Sequence, residues 1–370
     1  MKFVDKKQSG FFHTVKSRVD LHFYESSIHK QANLFMWAKV FFFLFGFVVL
    51  YLLILSNQFT VRVMAVFAAL LGAFGAFIGF NICHDAIHGT LSTNSKINKP
   101  FCIVFNLIGA NHYLWNITHN IVHHTYTNVE GHDEDLEIAP GLIRISQSLE
   151  VKKVQVYQHF YAFLLYCLTS ISWVLRKDFI KFFKKKIGQR DNTRHPRHEY
   201  FNLFLFKAIY YYLFIILPLT VLSITWLQFL YGFLIMHLVQ GLVLGLVFQL
   251  AHVVEGTSFP LPNTEGNIED AWAEHQMRTT ANFATRSKVI SFFCGGLNFQ
   301  IEHHLFPKVC HVHYPAISKI VRQTAKEFNL PYIENSSFFE ALISHYRILR
   351  KLGKESYRKK QLAPQPTEVR

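Results

Sequence analysis

Three short groups carry the chemistry open to this sequence. His84 and His88 in HDAIHG stand four residues apart, so one helical turn places both imidazoles on the same face, where they can share a metal ion. His119, His123 and His124 in HNIVHHTYTN repeat that spacing and add an adjacent ring aimed about 100° around the helix, so this group can touch two metals at once. Gln300, His303 and His304 in NFQIEHHLFP have the same form with Gln in the lead. A lone HxxxH is often a coincidence of a helix face. Two HH doublets, each preceded by a polar ligand three or four residues earlier, together with an HxxxH are far harder to obtain by chance.

Neutral imidazole suits zinc, copper, iron and nickel alike. Ligand number discriminates better: this set exceeds one four-coordinate zinc site and suits two metals with positions left open. Open positions in apolar surroundings are what activation of dioxygen against an unactivated C–H bond requires, because water must be kept from the oxidant. That chemistry favours iron.

His252 in FQLAHVVE joins the candidates by position, since it ends an apolar segment at the depth at which His84 ends another. His237, on the same segment, lies about 22 Å away at 1.5 Å per residue and cannot share the site. His112, His132, His275, His311 and His313 are expected in supporting or surface roles. Asp85, Glu302 and the run Asp133 to Asp135 could orient ligand imidazoles by accepting their second N–H, although a solvated acidic loop explains the run equally well.

The elements that must position these groups are membrane helices. Of 370 residues, 51% are hydrophobic, 38 are Phe and only 17% are charged, below the roughly 25% of soluble domains. A spanning helix needs about 20 mostly apolar residues, and segments 34–55, 61–82, 203–227 and 229–253 qualify. Short, nearly uncharged joins pair them into two hairpins. The amino terminus, RKDFIKFFKKKIGQR from Arg176 and RILRKLGKESYRKK are rich in Lys and Arg, which the positive-inside rule assigns to the cytoplasm. The apolar stretches 101–114 and 157–174 are short or interrupted and are expected along the interface, because a single extra crossing would put the histidine groups on opposite sides.

The expected fold is therefore an all-α integral membrane protein: four transmembrane helices in two hairpins, with a cytoplasmic helical cap holding the metals. Residues 1–32 form a cytoplasmic segment, 33–345 the membrane domain and 346–370 a basic, partly disordered tail ending in QLAPQPTEVR. Both termini and the site face the cytoplasm. The amino terminus lacks the apolar core and cleavage site of a removed signal peptide. The net charge of +14 beside apolar spans reads as cytoplasmic loops, so no nucleic acid partner is expected. Five scattered cysteines without a CxxC pair read as free thiols.

At the quoted groups the chain resembles the membrane fatty acid desaturases, specifically the acyl-lipid or acyl-CoA branch whose third box begins with Gln, as in front-end Δ5 and Δ6 enzymes. Motif order, spacing and layout match from the first span to about Pro315. The resemblance implies a di-iron centre, O2 as co-substrate, two electrons from a small donor and syn removal of two hydrogens to leave a cis double bond. It implies His84, His88, His119, His123, His124, His303 and His304 as ligands, with His252 matching the family's additional histidine. Gln300 replaces a His of other branches, and direct ligation, ligation through water and hydrogen bonding are all open to it. Many Gln-type enzymes carry a fused cytochrome b5 domain with an HPGG motif; no such motif occurs here. A separate ferredoxin or cytochrome b5 is therefore the expected donor. The substrate implied is a fatty acyl-CoA or acyl-lipid within membrane lipid.

Two other functions fit less well. A di-iron hydroxylase or ketolase of lipids or carotenoids begins with the same hydrogen abstraction, but the Gln-type third box favours desaturation. A metal transporter would hold its ligands near the bilayer midplane, whereas these lie at span ends.

Overall fold

The structure is a computed structural model and describes residues 1–6, 8–136, 138–146 and 150–358. It is helical apart from two minimal strand pairings, Lys186–Ile187 antiparallel to Arg190–Asp191 and Asn282–Phe283 parallel to Glu334–Asn335. Among the described residues, four helices are long and apolar enough to cross a membrane: Leu34–Leu55, Val61–His88, Arg197–Val221 and Trp226–His252.

The boundaries differ from hydropathy for local reasons. The second helix runs on to His88 and stops where Gly89 takes a left-handed φ of 74°. The third starts after Pro196 and ends at Val221, before Leu222 turns extended, so the expected 203–227 lies too far along the chain. The apolar residues around Trp226 belong to the fourth helix instead. A capping box starts that helix: Gln228 N–H donates to Thr225 Oγ1 at 3.3 Å, and the Gln228 side chain accepts from Thr225 N–H at 2.9 Å.

The second and fourth helices form the central pair, and glycine lets their backbones approach. A Cβ on Gly72 would lie 2.1 Å from the Met236 carbonyl oxygen; Gly241 likewise admits the short helix Gln158–Cys167 to the fourth, where a Cβ would lie 2.2 Å from the Cys167 carbonyl oxygen. The first helix buries Met36, Val40 and Phe43 but leaves Phe41, Phe45 and Leu52 exposed, an arrangement suited to lipid. The two short joins meet, since Asn57 Nδ2 donates to the Val221 carbonyl at 2.9 Å and Ser223 N–H to Asn57 Oδ1 at 3.0 Å.

The two stretches expected at the interface form short helices. Residues 101–114 cover the end of Ser95–Leu107 and most of His112–Trp115; residues 157–174 cover Gln158–Cys167 and Thr169–Ser172, interrupted at Leu168. Beyond the fourth helix the chain builds a polar lobe. There Phe11, Val15, Val19 and Phe23 of the helix Phe11–Glu25 pack on Ile317, Val321 and Ala325 of Tyr314–Glu327. Helix continues from Phe338–Arg350 through a π-helical turn to Glu355, with Leu352 buried. The expected disorder at QLAPQPTEVR falls on residues outside those described.

Candidate metal centre

The second spanning helix loosens into a π-helix over Gly79–Cys83 immediately before His84 and then tightens again through His88. Asn81 stabilises the wider turn by donating from Nδ2 to the carbonyls of Phe77 and Phe293, each at 2.9 Å. The second histidine group is also π-helical, over Asn116–His123. Because that winding brings i and i+5 together, His124 approaches His119 to 3.2 Å between their Nε2 atoms. The third group lies on the short helix Gln300–Leu305, and His252 ends the fourth spanning helix.

These elements bring every sequence-predicted site residue to one place. His84, His88, His119 and His303 each offer a ring nitrogen, all within 4.8 Å of one another, and so do His123, His252 and His304. A third group, His124, His303 and His304, joins the first two. Gln300 closes the second: its Nε2 lies 2.9 Å from His252 Nε2 and 3.2 Å from His304 Nε2. All nine side chains are buried.

Five of the outward nitrogens have hydrogen-bond partners, whereas His84 Nδ1 and His124 Nδ1 have none among the described residues. His123 Nδ1 lies 2.8 Å from Asp133 Oδ2 and His119 Nδ1 3.0 Å from Asp135 Oδ2. His303 Nδ1 meets the Tyr314 hydroxyl at 3.1 Å, His304 Nδ1 meets Gln276 Oε1 at 2.8 Å, and His252 Nδ1 meets the Thr279 carbonyl at 3.3 Å. Where the partner is a carboxylate, amide or carbonyl oxygen, the proton is held on Nδ1 and Nε2 presents its lone pair inward. Trp115 stacks on the His119 ring at 4.1 Å between centroids and fixes its plane.

A cation fits the space enclosed. Among the described residues, His84 Nε2, His88 Nε2, His123 Nε2 and His303 Nε2 are buried without any hydrogen-bond partner, as is Gln300 Oε1. Buried polar atoms are normally satisfied, so this many converging at one point suit a bound cation. Burial also pushes His119, His124, His303 and His304 well below the ordinary imidazole range and so favours the neutral rings that a metal would require. Burial acts the same way on His123, but the Asp133 carboxylate outweighs it and raises that ring.

The remaining candidates take other roles. His237 accepts or donates to Ser170 Oγ at 2.8 Å and Tyr210 OH at 2.9 Å, away from the centre. His112 bonds Asn106, His132 bonds Gln189 and His313 bonds the Gln31 carbonyl. His275 packs its ring edge-on against Phe3. His311 forms a further buried group with Asp85 and Cys310, but its Nδ1 bonds Asp85 at 2.9 Å and Lys39 Nζ lies 2.9 Å from its Nε2, so a charged amine already stands there. Glu302 turns away from the imidazoles to Asn282 Nδ2 and the Tyr332 hydroxyl, both at 2.8 Å, and burial pushes its carboxyl up to about 7. Of the acidic residues, Asp133 and Asp135 hydrogen-bond candidate ligand rings and Asp85 Oδ1 lies 3.5 Å from His84 Nδ1, while Glu134 pairs with Lys184. The orienting roles of Gln276, Thr279 and Tyr314 carried no sequence signal, because none stands at a fixed spacing from the ring it holds. The five cysteines are free, as expected.

An apolar cavity of about 80 Å³ opens onto the centre, with His84, His119 and Gln300 at its head and Phe80, Leu244 and Phe248 along its walls. Beyond a neck formed by Gly79, Phe105, Trp173 and Leu244, which line both, lies a second chamber of about 10 Å³. The apolar walls beside the histidines suit an apolar substrate segment held against the cluster.

The profile described as fatty acid desaturase matches residues 60–336. An acyl-lipid (8-3)-desaturase of Physcomitrium patens is 33% identical over 97% of this chain and 75% of its own length. An sn-1 linoleoyl-lipid 6-desaturase of Synechocystis sp. is 34% identical over 96% of this chain and 98% of its own. The Delta(5) fatty acid desaturase A of Dictyostelium discoideum is 32% identical over 98% of this chain and 79% of its own.

Proposed function

The chain belongs to the fatty acid desaturase family, and on that footing we propose that it is an oxygen-dependent, di-iron acyl desaturase acting on chains carried by membrane lipids. Desaturation of a fatty acyl chain and membership of lipid metabolism follow from the family. The metal, the carrier, the residue roles and the membrane orientation are our reading.

The observation that carries this reading is the convergence of buried ring nitrogens without partners at the head of an apolar cavity. His84, His88, His119 and His303 would hold one iron, and His123, His252 and His304 the other, with His124 between them. Gln300, hydrogen-bonded to His252 and His304, orders the second set and leaves its Oε1 facing the centre. When bound, the iron pair supplies the oxidising power that removes two hydrogens from neighbouring carbons as O2 is reduced to water. The protein's own contribution is position and dryness: the carboxylates fix the rings, and the cavity walls exclude water from the reacting carbons.

Support for four crossings in two hairpins comes from the lengths of the four apolar helices and from the contact between their short joins. The basic segments then lie on the cytoplasmic side with the polar cap, the site and both termini, and the stretches 101–114 and 157–174 lie along the interface. Residues 33–345 form the desaturase domain, flanked by the short cytoplasmic segment 1–32 and the basic tail 346–370. The named activities of the relatives favour an acyl-lipid carrier over acyl-CoA and a front-end position of Δ5 or Δ6 type. Electrons would come from a separate acidic ferredoxin or cytochrome b5 drawn to the basic face. Turnover that does not respond to salt with the purified donor would contradict that docking.

The test is metal analysis of the purified protein together with the variants His123→Ala and His303→Ala. Iron bound to the wild type and lost from both variants along with the unsaturated product supports the assignment. Activity retained by either variant rejects it.

A further inference from the structure

One charged residue interrupts the first spanning helix. Lys39 in LFMWAKVFFF stands alone among the residues of Leu34–Leu55, which include no Arg, Asp or Glu and no second Lys, and it is 3% exposed. An ammonium at such a place is costly unless a counter-charge reaches it. Its Nζ lies 2.9 Å from His311 Nε2, and His311 Nδ1 lies 2.9 Å from Asp85 Oδ2. All three side chains are buried, and Cys310 Sγ donates to the same carboxylate oxygen at 3.1 Å. The rings of Phe35 and Phe292 flank the ammonium, with centroids 5.9 and 5.0 Å away.

The direction of these bonds follows from the donors. An ammonium has no acceptor, so it donates to His311 Nε2, and the ring proton must then stand on Nδ1 and point at Asp85. Burial and the Lys39 charge push His311 down to about 4, so the ring is neutral between the cation and the carboxylate. Asp85 Oδ2 is thereby taken by His311 and Cys310, and Oδ1 is turned towards His84, whose Nδ1 lies 3.5 Å from it. That is longer than a good hydrogen bond. A cation on His84 Nε2 would keep the proton on Nδ1 and draw it towards the carboxylate.

We propose that Lys39 is a positioning residue for the candidate metal ligand His84: through His311 and Asp85 it fixes the carboxylate beside that ring, and with it the direction in which the ring offers Nε2. This rests on the metal-centre reading above and extends it, because it gives the first spanning helix, which carries no candidate ligand, a part in building the centre.

The test uses the full-length protein, purified with its iron. Lys39→Met and His311→Leu should each weaken metal binding about 10- to 100-fold, the range for losing a group that orients a ligand ring, read as metal retained against graded chelator. Mössbauer spectra of the loaded protein should show a changed signal for one iron, the one bound by His84, and an unchanged signal for the other. Lys39→Arg keeps a cationic donor to His311, and His311→Gln can accept from Lys39 and donate to Asp85, so both should restore the wild-type readouts. Because the residues act in series, Lys39→Met combined with His311→Leu should be no worse than either alone. His311→Leu removes no full charge and carries the test by itself where Lys39→Met does not fold. Wild-type affinity and spectrum in the single variants, equal changes at both irons, or losses that add in the double variant overturn the proposal. Wild-type protein that binds no metal rejects the metal-centre reading and this inference with it.

Discussion

The Asp133 carboxylate lies 2.8 Å from His123 Nδ1, and both side chains are buried, so the inward direction of one metal-facing nitrogen is set by a residue ten positions along the chain. Asp133 also accepts the Asn128 backbone N–H at 2.9 Å, which ties the loop to the ring it orients. Asp133→Ala is expected to weaken metal binding about 10- to 100-fold. Asp133→Asn retains an oxygen acceptor and should recover most of that loss. Metal content after dialysis against graded chelator measures both, and equal retention by wild type and the Ala variant would contradict the role.

The neck between the two chambers should set how much chain the enzyme accepts. A Cβ at Gly79 would find Leu244 Cδ2 at 3.8 Å and Phe105 Cε2 at 3.9 Å, ordinary contact distances, so a small side chain fits and a larger one projects into the passage. Gly79→Leu should keep its metal but lose at least about tenfold in turnover on long chains relative to short ones. Competition between two chain lengths in one culture reads this ratio directly. An unaltered ratio would mean that the chain does not pass the neck.

The histidine groups and four apolar helices were legible because each depends on short-range periodicity: i, i+4 for the rings and about twenty apolar residues for a span. What periodicity missed came from elsewhere in the chain or from departures from α-helical winding. HNIVHH reads as an α-helix that separates His124 from His119, whereas the π-helical Asn116–His123 brings the two together. The third span was placed too far along because hydropathy runs through Leu222, Ile224 and Trp226 without registering the cap at Thr225. Gln276 and Tyr314, which hold His304 and His303, reach the centre from separate helices, and only the folded chain brings them there.

A buried ion pair braces the second chamber. Lys207 Nζ donates to Asp178 Oδ2 at 2.8 Å and to the carbonyls of Gly109 and Trp173 at 2.7 and 3.1 Å. Lys207→Met would leave the Asp178 charge buried and uncompensated, a loss of about 3–5 kcal/mol. Thermal unfolding in detergent should show a clear drop for this variant and recovery when Asp178→Leu is added. A single variant as stable as wild type would mean the pair contributes nothing.

The central claim is tested most directly by the mass and double-bond position of the product formed when the chain is expressed in a host of known lipid composition. A di-iron desaturase predicts new fatty acids lighter than their precursors by two hydrogens, with a cis bond on the carboxyl side of any existing one, and no such product from His123→Ala. Products heavier by one oxygen, with no new double bond, would contradict it and assign the same centre to hydroxylation.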